Sequence, residues 1–112
     1  MSFTVRKDEA KGVVIVGIDG QLIVGNRHEL KQRVLDALAD GERKILVDFS
    51  ATGYIDSSGL GVLVSLAKKM REEGGELRLA GLNEDLKTLF ELTKLDTLFT
   101  IVDSPDEALA GF

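Results

Sequence analysis

The sequence predicts a single α/β domain with a mixed, mostly parallel sheet, entered through an N-terminal β-hairpin and with helices packed on it. Short apolar segments of strand length alternate along the chain with segments whose apolar residues recur every three or four positions. The 112 residues, of which 44% are hydrophobic and 29% charged, are enough for one domain, 1–112, that buries a core without metal or disulfide support.

The first segments predict the hairpin. Residues 3–7 alternate between apolar and polar types, residues 12–18 form a continuous β-branched run, and residues 8–12 supply the turn. The continuous run is typical of a strand buried on both faces. Asp19–Gln21 are expected to end this strand, and residues 22–24 either extend it or cross over the core.

The first helix is predicted from its cap and its apolar stripe. Asn26, followed by Glu29, matches a capping box. Leu30, Val34 and Leu38 then form one apolar face, and Gly41 marks the end of the helix.

The centre of the chain predicts a strand, a loop and a long helix. Residues 45–49 are apolar and of strand length, and the segment from Ala51 onward is interpreted as a loop that carries Asp56, Ser57 and Ser58. Ser57 or Ser58 is the expected N-cap of a helix that begins at about Ser58. Residues 68–71 supply cations to its last turn, and residues 74–75 are glycines that stop it.

The C-terminal third predicts two further strands and two short helices. Residues 76–80 alternate as a strand, and Asn83 caps the helix that follows. Residues 98–102 are predicted to form the last strand. Residues 104–107, Ser-Pro-Asp-Glu, form a capping box with proline at the first helical position, so the chain ends in a short helix.

Composition excludes several classes of function. A net charge of -5 and a pI near 4.8 disfavour nucleic-acid binding, which depends on clustered lysine and arginine. Cysteine is absent, so disulfides and thiol chemistry are excluded, and a reducing compartment is favoured. The N-terminus lacks the apolar region of a signal peptide, and no apolar run approaches eighteen residues. We expect a soluble, cytoplasmic protein without membrane insertion.

Catalytic and metal-binding motifs are not found in the sequence. The one histidine, His28, lies at the start of the first predicted helix, and no Gly-x-Ser-x-Gly motif is present. One histidine and no cysteine leave only scattered carboxylates as metal ligands. Neither a dinucleotide fingerprint nor a Walker A motif occurs. We therefore expect no enzymatic activity, no metal and no cofactor.

The remaining candidate is the segment around Ser57. In one interpretation, residues 56–58 only cap the helix. In the other, Ser57 is a modified hydroxyl or an interface residue. Gly59 and Gly61 favour the second interpretation, because a cap does not need them and they would allow another chain to approach closely. The apolar pair Tyr54 and Ile55 beside the loop is a candidate docking patch, with the alternative that Ile55 points inward.

The chain resembles STAS domains, and among them the bacterial anti-sigma factor antagonists. The residues that carry the resemblance are Leu-Val-Asp-Phe-Ser at 46–50 and Ile-Asp-Ser-Ser-Gly-Leu-Gly at 55–61. The Asp-Ser-Ser-Gly-Leu-Gly motif is specific to this family. Weaker similarity extends over nearly the whole chain, including Gly-Gly-Glu-Leu-Arg-Leu-Ala at 74–80.

The resemblance implies partner switching. The unmodified protein would bind an anti-sigma factor that is also a serine kinase, which would free a sigma factor. The kinase, holding ATP and Mg²⁺, would phosphorylate the first hydroxyl after the aspartate, here Ser57, and end the binding. A PP2C-type phosphatase would reverse the modification. The residues predicted to meet the partner are Gln21, Ile23, Tyr54, Ile55, Asp56, Ser57, Ser58, Gly59 and Gly61.

One departure from the family pattern keeps an alternative open. Antagonists typically carry Gly-Glu-Leu-Asp after the second strand, whereas this chain has Gly-Gln-Leu-Ile at 20–23. Because Gln21 and Ile23 replace two acidic residues, the alternative is a constitutive STAS interaction subunit of a transporter or signalling scaffold. A phosphate- or nucleotide-binding site at the same helix start is a third interpretation.

Overall fold

The computed structural model describes residues 2–112. Its strands and helices alternate in the order that an α/β domain requires. The strands are β1 (Ser2–Asp8), β2 (Val13–Leu22), β3 (Lys44–Asp48), β4 (Thr52–Ile55), β5 (Glu76–Ala80) and β6 (Thr100–Val102). The helices are α1 (Arg27–Ala39), α2 (Ser57–Glu72), α3 (Glu84–Leu92) and α4 (Pro105–Gly111), and a single 3₁₀ turn spans Leu95–Thr97.

The six strands form one mixed sheet. The spatial order is β1-β2-β3-β5-β6, and β4 pairs with the last residues of β2. β1 and β2 are antiparallel, as the predicted hairpin requires, and the remaining described pairs are parallel. The predicted fold class, a mostly parallel sheet entered through a hairpin, is confirmed.

Both faces of the sheet are covered, which confirms the prediction that β2 is buried on both sides. Val14, Val16 and Ile18 contribute to the larger core, beneath α1, α2 and α3. Val13 and Ile15 point to the opposite face, where they join a smaller core completed by α4. Alternate residues of one strand therefore serve two cores.

Arg78 holds the C-terminal helix against the smaller core. Its Nη2 donates a hydrogen bond of 2.8 Å to the carbonyl of Gly111 and lies 3.0 Å from Oε1 of Glu76. The guanidinium carbon lies 4.5 Å from the centre of the Phe112 ring, in cation–π geometry. Arg78 of β5 thus ties the end of α4, a helix of seven residues, to the sheet.

Three sequence expectations about strands are wrong in detail. Asp19–Gln21 do not end β2, which continues through Leu22. A register shift between Gly20 and Gln21, with Gly20 at a φ of 100°, bends the strand so that its last residues pair with β4. Residues 52–55, interpreted as a loop, form that strand. The last strand begins only at Thr100, because the amides of Leu98 and Phe99 donate to the carbonyl of Leu95 in a turn instead of joining the sheet.

The predicted caps of α3 and α4 are confirmed, whereas the predicted side-chain cap of α1 is not found. Asn83 and Ser104 cap α3 and α4 as predicted, with side-chain oxygens accepting from the amides of Leu86 and Glu107. Asn26 precedes α1 but makes no side-chain capping bond. Its side chain instead accepts from the Ile23 amide at 2.8 Å and donates to the carbonyl of residue 21 at 2.7 Å. It therefore closes the turn that leads into α1.

Side-chain truncation should destabilise the protein at a buried leucine and not at an exposed one. Leu63 is fully buried in α2, whereas Leu92 is 79% exposed at the end of α3. Leu63→Ala should lower the free energy of unfolding by about 2–5 kcal/mol, because it leaves a cavity in the larger core. Leu92→Ala, the matched control, should change it by less than about 0.5 kcal/mol. Urea denaturation followed by circular dichroism measures both, and equal losses would contradict this placement of the core.

Candidate functional site

Three elements meet where β2 and β4 end. Leu22 lies beside Ile55 in the β2–β4 pair. The carbonyl of Leu22 accepts a hydrogen bond from the backbone amide of Asp56 at 3.1 Å, and the Val24 amide donates to Oδ2 of Asp56 at 3.1 Å. The turn after β2 and the start of α2 are therefore joined through one residue.

Asp56, rather than either serine, is the N-cap of α2. Its backbone is extended, and its Oδ1 accepts from the Gly59 amide at 2.8 Å and from the Ser58 hydroxyl at 2.6 Å. The expectation that Ser57 or Ser58 caps the helix is thus corrected. The carboxylate satisfies one of the free amides of the first turn and places a negative charge at the positive end of the helix.

These contacts keep Asp56 ionised. The hydrogen bond from the Ser58 hydroxyl is the largest cause that lowers the pKa of Asp56 below its ordinary value, followed by the Gly59 amide. The Val24 amide acts in the same direction, while desolvation opposes these effects. Each of these donors favours the charged form of the carboxyl group.

Ser57 is the first residue of α2 and lies at the surface. Within residues 2–112, its hydroxyl has no hydrogen-bond partner, in contrast to that of Ser58. The free amides of the first helical turn and the macrodipole surround it with partial positive charge. Of the two neighbouring serines, Ser57 is therefore the one whose hydroxyl is available to a second molecule.

The two glycines of the motif have different surroundings. Gly59 is buried, and a Cβ added to it would lie 2.6 Å from the carbonyl oxygen of Leu22 and 3.0 Å from the Ile55 side chain. Its close approach is to β2 of the same chain, which corrects the idea that it serves another chain. Gly61 is exposed, and an added Cβ would meet nothing within 4 Å.

The apolar pair before Asp56 is divided by strand geometry. Tyr54 is 57% exposed, whereas Ile55 is 2% exposed and belongs to the larger core. Of the two orientations that the sequence leaves open for Ile55, the inward one is found, because successive side chains of β4 point to opposite faces. Gln21 and Ile23 are half-buried on either side of the last residue of β2.

A groove of about 540 Å³ opens beside Ser57. α3 supplies one wall, and the end of β4 and the start of α2 supply the other. Its lining residues are Gly53, Tyr54, Ile55, Asp56, Ser57, Leu60, Asp85, Leu86, Leu89 and Thr93. The contributions of α3 were missed by the sequence analysis, because no local signal shows that a helix thirty residues downstream packs beside Ser57.

Residues 2–112 contain no cluster of three or more histidine, cysteine, aspartate or glutamate side chains placed to hold a metal ion. In the same part of the chain, no helix is both long and apolar enough to cross a membrane. His28 is exposed at the start of α1, where its Nε2 lies 3.4 Å from Nε of Arg27.

A family model described as the STAS domain matches residues 4–108. This fold, with the Asp-Ser-Ser-Gly segment at the start of α2, therefore belongs to the STAS domain family.

Several relatives that match most of the chain are named anti-sigma factor antagonists, a class within the STAS family. The anti-sigma-B factor antagonist of Staphylococcus aureus is 33% identical over 77% of this chain and 80% of its own length. BtrV of Bordetella bronchiseptica is 30% identical over 94% of this chain and 90% of its own length. The crystal structure of TM1081 from Thermotoga maritima superimposes with a TM-score of 0.89 at 33% identity, covering 97% and 92% of the two chains.

Two more distant structures share the fold. The anti-sigma factor antagonist SpoIIAA in its unphosphorylated form has a TM-score of 0.75 at 16% identity, with 98% and 96% of the chains covered. A sulfate transporter family protein from Wolinella succinogenes has a TM-score of 0.80 at 24% identity, with 89% and 84% covered. An anti-sigma factor antagonist and a sulfate transporter family protein thus share this architecture.

Alanine at the two glycines should have opposite effects. Gly59→Ala should lower the free energy of unfolding by about 1–3 kcal/mol, because its methyl group would overlap the Leu22 carbonyl. Gly61→Ala should raise it by up to about 1 kcal/mol, because it removes a helical glycine without a clash. Urea denaturation of the two variants measures the difference. A stable Gly59→Ala protein would show that α2 does not pack closely on β2.

Removal of the Ser58 hydroxyl should make the ionised form of Asp56 less stable. Ser58→Ala should raise the pKa of Asp56 toward its ordinary value, because it deletes the largest cause of the depression. A carbon-13 NMR titration of the Asp56 carboxyl measures this shift. Ser57→Ala is the matched control and should leave the pKa of Asp56 unchanged, since the Ser57 hydroxyl does not contact the carboxylate.

The sign of the pH dependence follows from the same depression. Because its pKa is lower in the folded chain than in the unfolded chain, Asp56 stabilises the fold above the unfolded-state pKa. That contribution disappears as the pH falls through the folded-state pKa. The stability difference between the wild type and Asp56→Asn should therefore shrink in acid. A difference that stayed constant from neutral pH to pH 2 would contradict a charged cap.

Proposed function

We propose that this protein is an anti-sigma factor antagonist whose binding is switched by phosphorylation of Ser57. The unphosphorylated form binds a serine-kinase anti-sigma factor in the cytoplasm and frees a sigma factor. The phosphorylated form does not bind, and a PP2C-type phosphatase restores the first state. The observation that carries the proposal is the exposed Ser57 hydroxyl at the start of α2, which has no hydrogen-bond partner among the described residues 2–112.

The choice of Ser57 over Ser58 rests on their hydroxyl groups. The Ser58 hydroxyl donates to Asp56 at 2.6 Å and is half-buried, so a kinase would have to break that bond and reorganise the cap. The Ser57 hydroxyl requires no such rearrangement. Its position directly after the cap also lets the kinase reach it without unwinding α2.

A phosphate on Ser57 should be tolerated by the domain and rejected by the partner. Phosphorylation adds about -1.5 to -2 charges at neutral pH, and the free amides and dipole of a helix start stabilise such a charge. Among the residues that the structure describes, no lysine or arginine lines the groove beside Ser57 to neutralise the phosphate. Burial of a phosphate without a cationic partner across an interface costs several kcal/mol, so the fold persists while binding is lost.

The proposed interface surrounds this hydroxyl. Exposed or half-buried residues of the set would touch the partner directly: Gln21, Ile23, Tyr54, Asp56, Ser57, Ser58 and Gly61. The buried Ile55 and Gly59 would act from beneath, because they fix the distance between α2 and the end of β2. A partner bound to this surface would therefore contact both the turn after β2 and the start of α2.

A constitutive STAS interaction subunit is the second candidate. Gln21 and Ile23 favour it, because they supply no acidic groups to the turn after β2, and a sulfate transporter family protein shares the fold. In that case, Ser57 would only begin the helix. The Ser57→Asp variant distinguishes the two candidates, since a switched antagonist should lose its partner and a constitutive subunit should retain it.

Phosphorylation by the partner tests the proposed switch. The protein should gain one phosphate, on Ser57, when incubated with ATP, Mg²⁺ and the serine-kinase anti-sigma factor of the same genome. Mass spectrometry locates the modification. Ser57→Ala should abolish it, whereas the matched Ser58→Ala variant should retain it.

The binding affinities complete the test. Ser57→Asp and the phosphorylated protein should bind the anti-sigma factor about tenfold more weakly or worse than the unmodified protein, which corresponds to about 1.4 kcal/mol or more. Isothermal titration calorimetry measures this change. Phosphate on Ser58, or equal affinity of the two forms, would refute the switch.

A further inference from the structure

The groove between the start of α2 and α3 has an apolar floor and an acidic rim. We propose that it receives an apolar side chain of a protein partner, and that this side chain is flanked by a lysine or arginine of the same partner. The proposal rests on the proposed function in one respect: the occupant belongs to the protein that binds beside Ser57.

The shape and lining of the groove fit one large side chain. The buried side chains of Ile55 and Leu86 form the floor, and Leu60 and Leu89 stand on opposite walls. The volume of about 540 Å³ lies in the range of cavities that hold drug-sized organic groups, which begins at about 300 Å³. Burial of an apolar side chain there would remove part of this surface from water, at roughly 25 cal/mol for each Å².

An exposed aromatic residue extends the groove onto the surface. Tyr54, which lines the groove, is 57% exposed. Exposed large hydrophobic side chains are uncommon in this molecule, where Val5, Val24 and Leu92 are the other examples within residues 2–112. The apolar surface therefore continues from the floor to the edge at Tyr54, as a docking surface requires.

The charges on the groove determine the polarity of the occupant. Asp56 and Asp85 are the charged residues among those that line it, and both stand at helix starts. The nearest lysine of α3, Lys87, is already shared between Glu84 and Asp103, each at 3.4 Å, and does not line the groove. An acidic segment would be repelled here. Both oxygens of Asp56 already accept hydrogen bonds from the Val24 amide and the first turn of α2, so a lysine or arginine of the partner would pair with Asp85, on the wall opposite Ser57.

The groove is also continuous with the switch. Ser57 forms part of the same wall as Leu60, one turn along α2. A partner that covers the Ser57 hydroxyl therefore has this groove as the adjoining concave surface. Because α3 contributes Asp85, Leu89 and Thr93, the inferred contact area extends beyond the residues that the sequence motif identifies.

A pair of small probes tests the chemistry of the groove without any partner. Phenethylammonium and phenylacetate carry the same aromatic ring on a short chain with opposite charge. In an NMR titration of the intact protein, phenethylammonium should shift the amides of Tyr54, Leu60, Leu89 and Thr93 at millimolar concentration, and phenylacetate should shift them at least about threefold less. Equal shifts, larger shifts with the anion, or shifts elsewhere would overturn the proposal.

A charge reversal tests the groove in the complex. In the unphosphorylated protein, Asp85→Lys should lower the affinity for the kinase anti-sigma factor by about tenfold or more, because the rim of the groove would repel the partner's cation. Glu84→Lys is the matched control: it reverses a charge in the same helical turn but outside the groove, and it should change the affinity by less than about threefold. Equal effects of the two variants would overturn the proposal.

The two tests separate this inference from the proposed switch. If the kinase does not modify Ser57 but phenethylammonium binds in the groove, the switch fails and the groove chemistry stands. If Ser57 is phosphorylated but neither probe selectivity nor the Asp85→Lys effect is found, the switch stands and the groove proposal is wrong. Circular dichroism of both α3 variants checks that their fold is intact.

Discussion

The carboxylate of Asp56 is the contact on which the site depends. Through its two oxygens it joins the turn after β2, at Val24, to the first turn of α2, at Ser58 and Gly59. These segments are distant in sequence, and an isolated helix start would not hold them together. The hydrogen bonds that hold the carboxylate in place also keep it charged, so the same contacts form the cap and set the local charge.

Close packing beneath the cap gives this contact its rigidity. Gly59 places the backbone of α2 against the carbonyl of Leu22, at a distance that no other residue allows without a shift. Ser57 is therefore presented at a fixed point on the surface, while the cores on both faces of the sheet remain undisturbed. A change in charge at such a point can alter binding without a change of fold.

The sequence predicts the elements that local interactions determine, and it fails where contacts between distant parts of the chain decide the structure. Elements with a long periodic pattern, such as α1 and α2, were predicted nearly to their ends, and the hairpin of β1 and β2 followed from alternation and a turn. β4 is not predicted from the sequence, because four residues with a glycine carry little strand signal and the strand pairs with the bent end of β2. Asn26 was assigned to a capping box, but its side chain instead closes the preceding turn, since asparagine can satisfy either set of backbone groups.

The sequence by itself determined the α/β class, the two-faced burial of β2 and the family motif that marks Ser57, because each rests on local patterns of a few residues. Only the tertiary structure decided that Asp56 is the cap, that Gly59 serves packing inside the chain and that Ile55 is buried. The groove along α3 also exists only in the folded chain. These features depend on the bend of β2 and on which helix packs beside α2, and such long-range contacts leave no periodic trace in the sequence.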